Sequence, residues 1–253
     1  GGFELGYGSD LDLVFLHAAD PGETVGGKRP VDNSHFFARL GQRVVHMLSA
    51  HTPAGTLYET DMRLRPNGNS GLLVSHVNGF EDYQLKNAWT WEHQALIRAR
   101  PITGDAALLD AFSRIRRRVL CLPRERESLR ASVRDMRERM RGHRRSSPSD
   151  QFDIKEDAGA MVDIEFLVQY LVLRHAAQHP EVTRWTDNVR LLQALAEAGI
   201  IDGDTAFRLR RAYLIFRAAA HRLNLRERST LVDGERFSHL RELVRRFWEK
   251  TLA

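Results

Sequence analysis

Hydrophobic and polar positions follow two different rhythms along this chain, and the change of rhythm divides it. The apolar run Leu13-Val14-Phe15-Leu16 follows Asp10-Leu11-Asp12 and predicts a strand over 10–16. The period of two then places Asp10 and Asp12 on one face. From Thr56 to Pro66, Tyr58, Thr60, Met62 and Leu64 alternate with Glu59, Asp61, Arg63 and Arg65, the pattern of a half-buried strand. Between these strands, Pro21-Gly22 and Gly26-Gly27 mark a flap or crossover loop from Ala18 to Pro30. A helix over about 33–51 is expected to bury Phe36, Phe37, Leu40, Val44, Val45 and Leu48. A turn at 66–71, a short 72–74 segment and helices over about 77–87 and 92–100 complete a mixed α/β block that Pro101 and Gly104 close.

From Asp105 the period becomes helical throughout. Amphipathic helices are expected over 105–120 and 124–142, with Ser146-Ser147-Pro148-Ser149 inside a linker near 143–151. After a loop or short strand over 152–160, the segment 163–177 is apolar almost all round, as the central helix of a bundle is. Helices over 187–198, 205–225 and 237–251 surround it. The expected organisation is α+β: a mixed sheet with flanking helices over 1–104, then an all-α helical bundle over 105–253. The start at Gly1, without a methionine, reads like a cut from a longer protein, so the first domain is expected to be N-terminally truncated.

Chemistry concentrates in the first block. Carboxylates converging from positions 10 and 12 repel one another, and a cation between them relieves that repulsion. An all-oxygen site of this kind suits Mg²⁺, which binds through one or two carboxylates and substrate phosphates. Gly8 and Ser9 precede the acids with backbone N–H groups and a hydroxyl suited to phosphate oxygens. Asp61 offers a third carboxylate, and Arg63 and Arg65 offer guanidiniums that match a triphosphate. Asp-x-Asp alone is usually a solvated strand end, but three acids and a Gly-Ser turn on neighbouring strands describe a metal–nucleotide site. In the second block Lys155, one of four lysines against 34 arginines, has two readings. It is a compact charge for phosphate, or half of a salt bridge to Asp153 or Asp157. Glu165 and Gln169, i and i+4 on the apolar helix, read as a buried structural network partnered by Lys155, Arg190 or the 185–188 corner.

Charge narrows the partners. The net charge of +5 is uneven: thirteen arginines against four acids between Arg114 and Arg145 carry a local +9, leaving −4 elsewhere. With an apolar stripe at Leu122, Leu129, Val133, Met136 and Met140, these arginines read as a solvated helix face. Neither exposed aromatics nor a groove-entering motif accompany them, so nucleic acid is not an expected partner. Nor is a membrane, since no apolar run reaches eighteen residues. The single Cys121 cannot form an internal disulfide and fits a reducing cytoplasm.

The Gly-Ser-x-Asp-x-Asp strand with a later acid-bearing strand resembles the nucleotidyltransferase superfamily of polymerase-β-like fold. Longer stretches resemble the glutamine synthetase adenylyltransferase family: Glu4 to Phe15, Asp61-Met62-Arg63-Leu64-Arg65-Pro66 with Gly68 and Ser70-Gly71, and Trp91 to Arg100. Phe152-Asp153-Ile154-Lys155, Asp163-Ile164-Glu165-Phe166 and Trp185 to Leu192 continue the likeness. One departure is that Ala160 follows Gly159, where the family tends to have a second glycine. The family has two homologous catalytic halves, one attaching AMP from ATP to glutamine synthetase and one removing it by phosphorolysis. The Tyr7-to-Asp12 form, the Trp89-to-His93 segment and the Asp-rich loop around Lys155 resemble the adenylylating half.

The resemblance implies a nucleotidyltransferase that moves AMP from ATP to a tyrosine of glutamine synthetase and so regulates nitrogen assimilation. Its expected metal ligands and catalytic acids are Asp10, Asp12 and Asp61, holding two Mg²⁺ ions. Gly8, Ser9, Arg63 and Lys155 are the expected nucleotide contacts. The expected partners are glutamine synthetase and, in a full-length enzyme, a PII signal protein. The alternatives are the deadenylating half, or a non-catalytic fragment that docks glutamine synthetase or PII.

Overall fold

In the computed structural model all residues are described except Gly1, Gly8, Leu57, 143–146, Ser149 and Ala253. Most of the expected 143–151 linker, and the phosphate-binding role expected of Gly8, therefore fall outside the described residues. In chain order the elements begin with β1 (Leu11–Asp12), β2 (Phe15–His17), α1 (Asn33–Ser49), β3 (His51–Thr52), β4 (Gly55–Thr56), β5 (Thr60–Asp61) and β6 (Val74–His76). Then come α2 (Val77–Lys86), α3 (Thr90–Arg98), α4 (Ala106–Leu120), α5 (Arg126–Gly142) and β7 (Gln151–Asp153). The chain ends with α6 (Met161–His175), α7 (Asn188–Glu197), α8 (Gly203–Asn224), β8 (Leu231–Asp233) and α9 (Ser238–Leu252). Two compact units result: one takes 8–89 and 101–119, the other 1–7, 90–100 and 120–253.

In the strand-bearing unit the expected 10–16 strand is two short ones. β1 pairs in parallel with β5, and β2 in parallel with β6. The break at Leu13–Val14 lets one run of sequence serve two partners. The segment after Asp61 likewise leaves the sheet at once, turning through 66–71 where a side chain on Gly71 would lie 1.8 Å from the Pro66 carbonyl oxygen. Helix α1 starts on Asp32, whose carboxylate accepts from the Ser34 and His35 N–H groups, a conventional N-cap. It approaches the sheet at Gly41, where a Cβ would stand 2.9 Å from Val74 Cγ2. His17, buried on β2, stacks on Phe37 at 4.8 Å. The expected apolar stripe of α1 is only partly covered: Gly41 is its one buried residue, and Phe36 and Leu40 are exposed. The loop before α1 is closed across its base by Thr24 N–H donating to the Val31 carbonyl at 2.9 Å.

The helical unit is built around α6. From Val162 to Leu173 only Glu165 escapes burial, because the helix has neighbours on every side. Its first turn carries a charge into that core. Asp163, 1% exposed, accepts from Arg137 Nε at 2.7 Å, from Arg141 Nη2 at 2.6 Å and from the Gly159 N–H at 2.7 Å. Arg137 is itself fully buried and also donates to the Glu156 carbonyl at 2.5 Å. The reading of 114–145 as a wholly solvated basic face is therefore wrong at Arg137, whose position continues the apolar stripe of Leu129 and Val133 on α5. Gly159 has φ +83°, and a Cβ there would meet the Arg241 carbonyl oxygen at 2.5 Å. Ala160 has φ −91° and is buried as the N-cap of α6, so any small L-residue suits it. The departure from a second glycine costs the loop nothing.

Removing one partner of a buried pair strands the other charge. Arg137→Ala is expected to cost about 3–5 kcal/mol in urea unfolding at neutral pH. Arg134→Ala, on the exposed side of α5 beside Glu138, is expected to cost less than about 1 kcal/mol.

Candidate active site

Asp12 and Asp61 are register partners on parallel strands, as Leu11 and Thr60 are. Leu11 N–H donates to the Glu59 carbonyl at 2.8 Å and Leu13 N–H to the Asp61 carbonyl at 2.9 Å, so the ladder brackets the acids. Neighbouring strands run about 4.8 Å apart, and register partners share a face, so the two carboxylates are set side by side by backbone hydrogen bonding alone. Ser9 and Asp10 precede β1 and are exposed.

The two acids are treated differently by their surroundings. Asp61 Oδ1 accepts from the Arg63 backbone N–H at 2.8 Å, and its Oδ2 from Arg63 Nε at 2.7 Å and from a second guanidinium nitrogen. These bonds hold the Asp61 carboxyl below the usual carboxylate range. Asp12, exposed at the end of β1, has no such hydrogen bond among the described residues. Partial withdrawal from water, and then the charges of Asp61 and Asp10, raise it above the ordinary aspartate value. Arg65, expected to face a triphosphate, instead braces the turn that follows: Nη1 donates to the Met62 carbonyl at 2.8 Å and Nη2 to the Asn69 carbonyl at 3.2 Å.

Among the described residues, no three His, Cys, Asp or Glu side chains are gathered as a metal-holding group. The donor chemistry nonetheless fits a hard divalent cation. The oxygens are anionic, two of the acids are in register, and the charges of Asp61 and Asp10 on Asp12 are only partly offset by that of Arg63. A surface depression of about 420 Å³ in the same unit is lined by Pro66, Asn67, Leu72, His76 and Tyr83 among others, and by none of the three acids.

Lys155 belongs to the helical unit. Its backbone N–H donates to Asp153 Oδ1 at 2.9 Å and its ammonium stands 3.9 Å from Glu156, not beside Asp153 or Asp157. Asp157 instead accepts from the Asp153 N–H at 2.8 Å and from the Ser147 hydroxyl at 3.1 Å. The expected network at Glu165 and Gln169 exists with other partners. Glu165 pairs with Arg98 at 3.1 Å and accepts from the Tyr213 hydroxyl at 3.2 Å, while Gln169 accepts from Gln94 Nε2 at 2.8 Å.

Sequence reasoning missed Glu4. Its carboxylate, 4% exposed in the helical unit, accepts from Asn188 N–H at 3.0 Å, Asn188 Nδ2 at 2.8 Å and Arg98 at 3.3 Å. Burial raises it, Arg98 opposing. The signal was an acid among apolar and glycine residues near the chain start.

The structure is of mixed helix and strand, and the families that match the chain are nucleotidyltransferase-like. The family described as glutamate-ammonia ligase adenylyltransferase matches residues 1–115, and that described as GlnD PII-uridylyltransferase matches 127–244. More particularly, the chain is 51% identical over its 253 residues to the bifunctional glutamine synthetase adenylyltransferase/adenylyl-removing enzyme of Thioalkalivibrio sulfidiphilus. The match covers 100% of this chain and 26% of that relative, so the chain spans about a quarter of the relative's length. It is homologous to an adenylyltransferase. No helix among the described residues is long and apolar enough to cross a membrane.

A carboxyl raised in the folded state favours folding only while it is protonated, and that advantage is lost as pH rises through its folded value. Asp12→Asn is therefore expected to match the wild-type Tm at pH below the ordinary aspartate range. It should equal or exceed the wild-type Tm at pH 7, with no metal present. Scanning calorimetry at the two pH values checks this.

Proposed function

We propose that this chain is the adenylylating half of a bifunctional enzyme and transfers AMP from ATP to a tyrosine hydroxyl of glutamine synthetase. The observation that carries the reading is the register of Asp12 with Asp61 directly behind the exposed Ser9 and Asp10. The identity with the relative, whose name includes both attachment and removal of the adenylyl group, adds the acceptor.

Asp10, Asp12 and Asp61 would hold two Mg²⁺ ions, which supply charge neutralisation on the triphosphate and acidify the attacking hydroxyl. The tyrosine oxygen forms the new bond to the α-phosphorus. The bond from that phosphorus to the bridging oxygen breaks in line, and pyrophosphate leaves with the electron pair. Ser9 and Arg63 are placed in sequence beside the acids to hold phosphate oxygens as charge builds on the leaving group. Arg63 must release Asp61 to do so, since its guanidinium now lies on that carboxylate. The hydroxyl proton needs an acceptor. Asp61 takes it: once Arg63 leaves that carboxylate for the phosphates, the contact that lowers Asp61 is gone and its oxygen accepts the proton as the O–P bond forms.

Transfer from α-labelled ATP to purified glutamine synthetase tests the proposal. Wild-type chain with Mg²⁺ is expected to label the acceptor, and Asp10→Asn and Asp12→Asn each to lower the rate by at least a hundredfold, about 2.7 kcal/mol of barrier. Release of label from pre-adenylylated glutamine synthetase by inorganic phosphate, without labelling from ATP, would assign the chain to the removing half.

A further inference from the structure

The opening residues of the chain form a strap on the helical unit. Gly2 packs on the Thr186 carbonyl so closely that a Cβ would lie 1.9 Å from its oxygen. Glu4 is bound to Asn188 and Arg98. The Leu5 carbonyl accepts from Arg217 Nη2 at 3.4 Å and the Tyr7 carbonyl from Asn224 Nδ2 at 3.3 Å. The Tyr7 ring meets His221 edge-on at 5.4 Å. With its backbone and Glu4 so engaged, the strap turns its apolar side chains to solvent: Phe3 is 68% exposed, and Leu5 and Tyr7 are exposed with it.

Helix α8, on which the strap lies, continues this surface. Phe207, Leu214 and Leu225 are exposed, with Arg211 and Arg222 exposed among them. The positions 207, 211, 214, 218, 222 and 225 are separated by three or four residues throughout, so they form one stripe along the helix. Helix α8 carries Arg208, Arg210, Arg211, Arg217 and Arg222 against the single acid Asp204. A depression of about 350 Å³ between strap and helix is lined by Phe3, Val189 and Leu214, by Arg190 and Arg217, and by Glu4 and Asp187, which are already bonded to Asn188 and Arg190. An apolar strip with a cationic border, concave at one point, is a surface for a protein partner rather than for water.

We infer that the strap and the outer face of α8 dock an acidic, apolar-centred surface of the acceptor protein, glutamine synthetase. The inference rests on the proposed function for the identity of the acceptor. Charge complementarity selects an acidic partner surface, because the exposed stripe of α8 carries Arg211 and Arg222 and no acid. Chain order selects the acceptor among acidic partners. The strap ends at Tyr7, and three residues on is Asp10, the first acid of the transfer turn. A protein held on this strap is held by the same segment that leads into the turn.

Binding of purified glutamine synthetase to the intact 253-residue chain, measured by biolayer interferometry without nucleotide, tests the docking separately from chemistry. Leu214→Glu/Leu225→Glu and Arg211→Glu/Arg222→Glu change exposed positions, and circular dichroism with Tm checks that each folds. Each double variant is expected to weaken binding at least tenfold while Mg-ATP affinity is unchanged. Wild-type binding is expected to weaken as salt rises from 50 to about 300 mM. In AMP transfer the KM for glutamine synthetase should rise with kcat retained. Binding by wild type that neither variant weakens overturns the inference, as does absence of wild-type binding. Binding that the variants weaken, without any AMP transfer by wild type, supports the docking face and overturns the enzymatic reading instead.

Discussion

A carboxylate removed from water must be compensated, and the helical unit is organised by how it meets that demand at Asp163. Three donors from two other segments converge on this one side chain: Arg137 and Arg141 from α5, and the N–H of Gly159 from the loop before α6. Those contacts fix where α5 crosses α6 and which way the 153–160 loop turns. They also fix the need for glycine at 159, since the chain can bring that N–H to Asp163 only with φ near +83° and with the Arg241 backbone pressed close. Ordinary apolar packing along α6 fills in around this constraint, because a stripe of leucine and valine tolerates several crossing geometries where a buried ion pair tolerates few.

In the other unit two acids in register are served unequally by their surroundings. Asp61 is hydrogen-bonded by Arg63, whereas Asp12, its register partner on the exposed side of β1, is left to solvent and to the weaker, through-space charge of Arg63. An acid held beside another acid by a parallel ladder stores repulsion, which a cation arriving later can release. Asp163 shows that this chain neutralises acids thoroughly where only stability is at stake. A hard cation would relieve that repulsion, in keeping with the binding role proposed for Asp12.

How much of this was legible in the sequence follows from the range of each signal. Helices were, because their period is repeated over ten or more residues: the expected 77–87, 163–177 and 187–198 are observed as Val77–Lys86, Met161–His175 and Asn188–Glu197. Strands of two or three residues were not, because alternation shows which residues share a face but not with which strand they pair. The 10–16 run thus divides between β5 and β6 at a point that the pattern Leu13-Val14-Phe15 does not reveal. Burial of α1 was overstated for a related reason. Phe36 and Leu40 lie on its apolar stripe, yet the helix meets the sheet through Gly41, against the Val74 side chain, and through Phe37, stacked on His17.

In the candidate site, the identity of the acids was legible and the disposition of the cations was not. Carboxylates at 10, 12 and 61 are visible as chemistry out of place in apolar strands. Arginine is abundant here, and its side chain is long enough that position says little about what it reaches. Arg63 folds back on Asp61, Arg65 braces a turn, and Arg137 lies wholly inside the protein. Only the last left a trace, as a charge on the stripe of Leu129 and Val133 where a hydrophobe was due. An arginine on the buried face of an amphipathic helix implies a buried acid elsewhere, and Asp163, the acid at the head of the most apolar helix, was the available partner. Reading the two anomalies together would have found the pair, because neither charge is tolerable in a core without the other.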